Sequence, residues 1–247
     1  RCRPKKPLSN TYLMKSKKVR YLIFSISLLL LSSSLHGQHF AIKAGLNAAN
    51  VTGDMVDNQW GGSFPTNYLT SFQLEAAAEY PLNHRFSIQS GLKYNGKGHS
   101  HYSQATTQFN VGPYYVSEVG ARLYYLDIPL TLKFHLPKVG CETYVFGGGY
   151  FGLGLHGERV FTNTFPNRKT EVIERTVKFG AGKNYNRIDF GGLAGVGMQF
   201  GALFFEISYT LGLTDLSTDE IFGSFDNKNR QLSLSLGYRF FKKLQKK

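Results

Sequence analysis

The run QLSLSLGYRF at 231–240 alternates without a lapse, with apolar or aromatic residues at even positions and polar residues or glycine at odd ones. A period of two belongs to a β-strand, whose successive side chains point to opposite faces. Comparable runs occur at about 39–47, 71–80, 85–96, 121–136, 141–155, 187–200 and 202–213. The count is therefore eight strands. Most exceed the ~5–6 residues usual in soluble sheets and approach the ~9–11 that cross a bilayer at a tilt. Abundant Gly (27), Phe (20) and Tyr (15) suit such strands.

The connections alternate in length: long at about 48–70, 97–120, 156–186 and 214–227, short at 81–84, 137–140 and 200–201. An up-and-down barrel with both ends in the periplasm produces that order, short turns inside and long loops outside. Closure also removes the unpaired edges that long apolar strands would otherwise expose. No 18-residue apolar run follows Leu46, which excludes a helical membrane protein. The expected fold is all-β, an eight-stranded antiparallel up-and-down transmembrane β-barrel preceded by a cleaved signal peptide.

Charges segregate by parity. One face carries Phe40, Ile42, Ala44 and Leu46 in the first strand, Leu203, Phe205, Ile207, Tyr209 and Leu211 in the seventh, and Leu232 to Phe240 in the last, with no charge. The opposite face carries Lys43, Glu75, Glu79, Lys93, Asp127, Lys133, Asp189, Glu206 and Arg239. A cation facing lipid at mid-bilayer costs ~2–4 kcal/mol, so an apolar exterior requires this separation. A soluble barrel would turn the same face inward, and parity alone does not choose. Strand length, loop order and the leader sequence choose the lipid exterior. In the fifth strand Tyr144 and Phe146 compete with Val145 and Phe151 for that face.

The formal net charge of +13 invites a nucleic-acid reading. However, residues 1–37 hold eight basic and no acidic side chains, and four lysines crowd the last six positions. The remainder is nearly neutral, so no nucleic acid is expected as a partner. Residues 14–37 read as a signal peptide: Lys15, Lys17, Lys18 and Arg20, then the apolar run YLIFSISLLLL at 21–31, then small residues to Gly37. Eleven apolar residues fall short of the ~20 that span a bilayer. Residues 1–13 read as an upstream over-read, 38–241 as the outer-membrane barrel and 242–247 as a basic tail. Cys2 and Cys141 are the only cysteines, which gives no disulfide framework and no CxxC pair.

Eight strands enclose a lumen that side chains can fill. The four cations and five anions on the polar face are expected to form a packed interior charge network, with a proton or ion path as the alternative. GGLAGVG at 191–197 lacks a following helix and a Lys-Ser/Thr pair, so it is no phosphate loop; such glycines relieve crowding beneath aromatics. Pro129, mid-strand, predicts a bulge or irregular pairing. His99 and His101 lack an identifiable third metal ligand and read as surface-loop histidines. His156, Ser100, Ser103 and Glu158 can be imagined as a rim enzyme's residues, but no spacing singles them out. No catalytic residue, cofactor or metal is expected. In the long loops Tyr114, Tyr115, Phe161, Phe165, Arg168 and Lys169 are candidates for a ligand surface, for lipopolysaccharide or a partner protein; extended hairpins touching headgroups are the equal alternative.

AIKAGLNAANVTGD (41–54), FSIQSGLKYNGKG (86–98), YLDIPLTLKF (125–134), DFGGLAGVGMQF (189–200), FEISYTLGLTDL (205–216) and LSLSLGYRF (232–240) together resemble the PorT-like outer-membrane β-barrel proteins of the Bacteroidetes. The resemblance covers nearly all of the expected mature chain. It implies an outer-membrane barrel of a Gram-negative bacterium, the founding member being linked to the type IX secretion system, and it brings no catalytic residues. The terminal aromatic read by the barrel-assembly machinery is usually the last residue in such proteins, whereas here FKKLQKK follows Phe240. The expected function is a structural or binding outer-membrane protein, secretion-associated in one form, acting through its extracellular loops. A narrow ion or small-solute channel is the alternative, and a lipid-modifying enzyme a third. The expected surroundings are outer-membrane lipid, lipopolysaccharide and other envelope proteins.

Overall fold

A computed structural model describes residues 39–52, 55–57, 62–64, 66–105, 115–137, 140–164, 170–180, 185–216 and 227–240. The expected signal peptide (14–37) and basic tail (242–247) lie outside them. Eight strands form the barrel: β1 (His39–Val51), β2 (Leu69–Pro81), β3 (Phe86–Ala105), β4 (Tyr115–His135), β5 (Glu142–Thr164), β6 (Ile188–Phe200), β7 (Leu203–Asp215) and β8 (Lys228–Phe240). Each pairs antiparallel with its neighbour in sequence, and β1 pairs β8 from Phe40↔Phe240 to Val51↔Asn229. This last pairing closes the sheet. Short segments at Met55–Asp57 and Gly62–Phe64 pair with each other, and Thr66–Asn67 pairs β3.

At one end the connections are tight. Asn83 Oδ1 accepts from the amides of Arg85 and Phe86 at 2.8 and 2.9 Å, turning the chain between β2 and β3. Gly201, at φ 62°, begins the two-residue turn between β6 and β7, a position where a residue with a Cβ is strained. The eight-strand expectation and the alternation of connections both hold.

Burial is inverted relative to a water-soluble protein. Among the described residues 26 buried side chains are polar or charged and 13 are hydrophobic, whereas Leu, Ile, Phe and Tyr of the charge-free face are exposed on every strand. An apolar band of this extent in water would be an aggregating surface; in hydrocarbon it is the favourable one. On β7 it runs from Leu203 to Leu213, which at ~3.3 Å per residue and a ~40° tilt rises roughly 25 Å, the height of an outer-membrane belt. The direction that parity left open is therefore outward. The fifth strand resolves too: Tyr144, Phe146 and Tyr150 point inward, Val145, Phe151 and Leu153 outward.

Pro129 does not shift the register. The β3–β4 ladder runs from Ser90↔Leu130 to Lys93↔Asp127 on one offset, skipping the positions opposite Ile128 and Pro129, and the Ser90 hydroxyl donates to the Pro129 carbonyl at 2.8 Å. The bulge lies higher, between Tyr124 and Tyr125, where β5 inserts Leu155. It places both Leu155 and His156 on the exposed side.

Candidate functional site

Period-two geometry delivers all nine of the charged positions to the lumen, where each is at most 7% exposed. Six of them connect as a chain. Arg239 and Lys133 meet Glu79 Oε2 at 2.9 and 3.3 Å. Lys133 also reaches Glu206 Oε1 at 3.3 Å, and Lys43 bridges Glu206 and Glu75 at 2.9 and 3.0 Å. Tyr144 donates to Glu206 at 2.9 Å, and Gln89 to Glu75 at 3.2 Å.

A second cluster sits above the first. Its centre is Lys97, the first residue of the connection expected at 97–120. Lys97 lies on β3, fully buried, with Asp127 at 2.9 Å and Asp189 at 2.8 Å. Its ammonium also lies 4.6 and 4.4 Å from the ring centroids of Tyr125 and Tyr150. Asn95 donates to Asp127, and Tyr150 and Thr214 to Asp189. The missed signal was parity: Lys93, Asn95 and Lys97 continue the inward face beyond the apolar residues that delimited the strand. With Lys97 added, five buried cations (Lys43, Lys93, Lys97, Lys133, Arg239) face five buried anions (Glu75, Glu79, Asp127, Asp189, Glu206). Lys93 lies between the two clusters. It lies across the ladder from Glu75 on one side and Asp127 on the other, makes no ion pair within 4 Å among the described residues, and lines a cavity of ≈ 20 Å³, enough for a water molecule.

Aromatic side chains complete the filling, and glycines make room for them. A Cβ on Gly197 would lie 2.3 Å from Tyr144 Cζ, one on Gly195 2.5 Å from Phe146 Cζ, and one on Gly237 2.1 Å from Phe204 Cζ. GGLAGVG is thus the middle of β6, with Gly195 and Gly197 packed beneath rings.

The outer mouth is closed by a small apolar cluster. Val177, Phe179 and Tyr185, from the connection between β5 and β6, pack with Val51, Ala121, Leu123, Tyr125 and Leu216. Backbone bonds from Asn186 to Leu216 and from Leu216 to Asn227, 2.8 and 2.9 Å, hold the rim together. At the inner end the described residues leave a vestibule of ≈ 490 Å³ lined by His39, Glu79, His84, Arg85, His135 and Arg239, among others.

Above the belt, β3, β4 and β5 continue as a projecting sheet. Pairing runs past Tyr124↔His156 to Ala105↔Tyr115 and Val116↔Thr164, nine residues or about 30 Å along the strands. An extra strand, Thr170–Thr176, pairs the outer part of β5 from Glu158↔Thr176 to Thr164↔Thr170. Most of the connections expected at 97–120 and 156–186 is therefore strand. Phe161 is half-buried, with Arg175 5.6 Å from its ring. Tyr115 lies on β4, but its side chain is outside the described residues, as are Tyr114, Phe165, Arg168 and Lys169.

Of the imagined rim-enzyme residues, the Ser103 side chain lies outside the described residues and the other three do not converge. His156 points outward, stacked on Tyr124 at 4.7 Å and bonded to the Tyr94 hydroxyl at 2.9 Å. Glu158 faces Arg122 at 3.8 Å on the exposed side, and Ser100 is buried. His99 is buried on β3 and is not a surface-loop residue, because β3 goes on pairing with β4 from His99↔Ala121 to Ala105↔Tyr115; the His101 side chain lies outside the described residues. No group of three or more His, Cys, Asp or Glu among the described residues can hold a metal.

The family model for outer membrane protein beta-barrel domains matches residues 32–218. The chain belongs to that family, and its place is the bacterial outer membrane. Among solved structures it is similar to the attachment invasion locus protein Ail of Yersinia pestis, at 14% identity and TM-score 0.39, covering 83% of this chain and 99% of that one. It is also similar to Neisserial surface protein A, at 11% and 0.39, covering 81% and 97%, and to OprG of Pseudomonas aeruginosa, at 11% and 0.37, covering 83% and 97%. No curated protein matches.

Proposed function

We propose that the protein is a structural and ligand-recognising outer-membrane barrel that works through its extracellular sheet and does not conduct through its lumen. One observation carries this reading: the lumen is filled by five buried cations matched to five buried anions and capped on the outside by the Val177/Phe179/Tyr185 cluster, while three barrel strands continue far above the belt. A filled, neutral interior serves stability; a projecting sheet on a rigid support serves contact. The scattered positions of His156, Glu158 and Ser100 support a role without catalysis.

The partners in this reading are outer-membrane lipid and lipopolysaccharide around the belt, the barrel-assembly machinery during insertion, and envelope proteins at the sheet. Tyr94, Tyr124 and His156 support a headgroup contact at the upper edge of the belt. The resemblance to PorT-like barrels supports a secretion-associated form of the role. The test is a shortened hairpin in which Asn-Gly replaces residues 161–173 and joins the facing residues Val160 and Glu174. The expected outcome is a heat-modifiable barrel that loses its envelope partners in pull-downs and stays silent in planar bilayers. Unchanged partner recovery, or discrete conductance by the intact protein, contradicts the reading.

A further inference from the structure

The strand Thr170–Thr176 ends the described sheet. It pairs β5 on one side, no described strand lies on the other, and all seven of its residues are exposed, Val172 at 56% and Ile173 at 36%. An edge of this length presents a row of backbone donors and acceptors to any strand that fits, and proteins usually blunt such edges. Here the charges are arranged differently from a blunted edge. Glu171 and Arg175 are spaced symmetrically about Ile173.

We propose that this edge pairs with the same edge of a second copy of the chain, antiparallel and two-fold symmetric about Ile173, and that the second copy sits in an opposing membrane. The inference rests on the projecting sheet being the recognition surface, and it names the partner.

The register follows from arithmetic on the strand. Two identical antiparallel strands related by a two-fold axis must centre on a residue, because facing residues share the same hydrogen-bonding parity. Centred on Ile173, all seven residues face a partner, Glu171 faces Arg175 twice, and Ile173 faces Ile173. Centred on Val172, Glu171 faces Ile173 and the overlap shortens; centred on Glu174, that glutamate faces itself. Opposite charges directly across a ladder are favourable and like charges are not, so the sequence selects one register. The Arg175 guanidinium lies against the Phe161 ring, on the face of the sheet, which leaves the backbone edge clear.

The membrane then decides the arrangement. Every copy in one bilayer is inserted in the same sense, and strands tilted ~40° from a common normal differ in direction by at most ~80°. They cannot become antiparallel. Copies in facing membranes can, so the contact bridges two surfaces.

The experiment uses the full-length protein, in detergent micelles for sedimentation and in proteoliposomes for vesicle clumping. Wild type is expected to dimerise and to clump vesicles. Arg175→Glu and Glu171→Arg are each expected to weaken dimerisation about tenfold by placing like charges in both pairs. Mixing the two variants restores complementary pairs and is expected to recover both signals, as is the double variant E171R/R175E. Exposed substitutions of this kind leave the barrel intact, and heat-modifiability checks that. The inference is overturned if wild type stays monomeric, or if the charge variants associate as wild type does. In that second case, loss of association in the Asn-Gly-shortened hairpin keeps the sheet as the recognition surface while removing this register; association retained there removes both.

Discussion

Lys97 and Asp189, on β3 and β6, meet at 2.8 Å with neither side chain exposed to solvent. The pair spans the lumen, and Asp127 completes it from β4 at 2.9 Å. A buried ion pair is weak evidence of net stabilisation, since desolvation offsets most of the attraction, but losing one partner leaves a charge stranded.

Lys97→Met is therefore expected to destabilise the barrel by about 3–5 kcal/mol, because it leaves two carboxylates facing each other. Lys93→Met is expected to cost far less, about 1 kcal/mol or under, since Lys93 holds no ion pair within 4 Å among the described residues, so its loss strands no close partner and relieves the desolvation of a buried cation. Urea titration in micelles, followed by heat-modifiability, compares the two. Equal losses would remove the distinction between the clusters.

Glu206 accepts from Lys43, Lys133 and Tyr144. Glu206→Ala is expected to lower stability by a similar 3–5 kcal/mol and to leave planar bilayers silent, because the apolar cap at the outer mouth is untouched. Single-channel recording checks this; a conducting variant would show that the Glu206 network is itself the barrier.

The glycines beneath rings predict a contrast within one strand. Gly197→Ala places a Cβ 2.3 Å from Tyr144 Cζ, while on Gly192 the nearest atom is the Gly148 carbonyl oxygen at 3.8 Å. The first substitution is expected to cost about 1–3 kcal/mol through displacement of the ring, the second less than about 1 kcal/mol. Equilibrium unfolding of the two variants decides it.

On the outside, Leu234→Arg near mid-belt is expected to cost ~2–4 kcal/mol of folding free energy in lipid vesicles, falling toward ~0–1 kcal/mol for Leu213→Arg near the upper edge. Depth-independent costs would argue against a hydrocarbon surround.

The sequence displays the belt because hydrocarbon imposes a strict rule on every second residue. All eight strands and the lumenal placement of residues such as Lys43, Asp127 and Glu206 follow from that rule. From Gly96 upward the outward positions of β3 are Gly96, Gly98 and Ser100, small residues that are themselves buried, so no apolar side chain marks that face. Alternation in β3 fades after Gly96, so Lys97, His99 and the upper part of the strand read as loop. The fifth strand was ambiguous for a related reason: Tyr144, Phe146 and Tyr150 face inward to fill space opened by glycines on β6, and apolar residues then stand on both faces. The irregular pairing expected at Pro129 is a gap in the ladder, since a missing amide interrupts a ladder without shifting it, whereas the bulge lies at Tyr124 and Tyr125. The cap by Val177, Phe179 and Tyr185 depends on contacts between distant segments, which no local pattern encodes.

The account depends on lipid, not water, surrounding the apolar face. Spin labels placed one at a time from residue 203 to 211, in protein folded into vesicles with Cys141 replaced by Ser, test this through collision with oxygen and with a water-soluble nickel complex. The account predicts high oxygen and low nickel accessibility at 203, 205, 207, 209 and 211, with low oxygen accessibility at the even positions between them. Nickel-accessible odd positions, or no period of two, would contradict it.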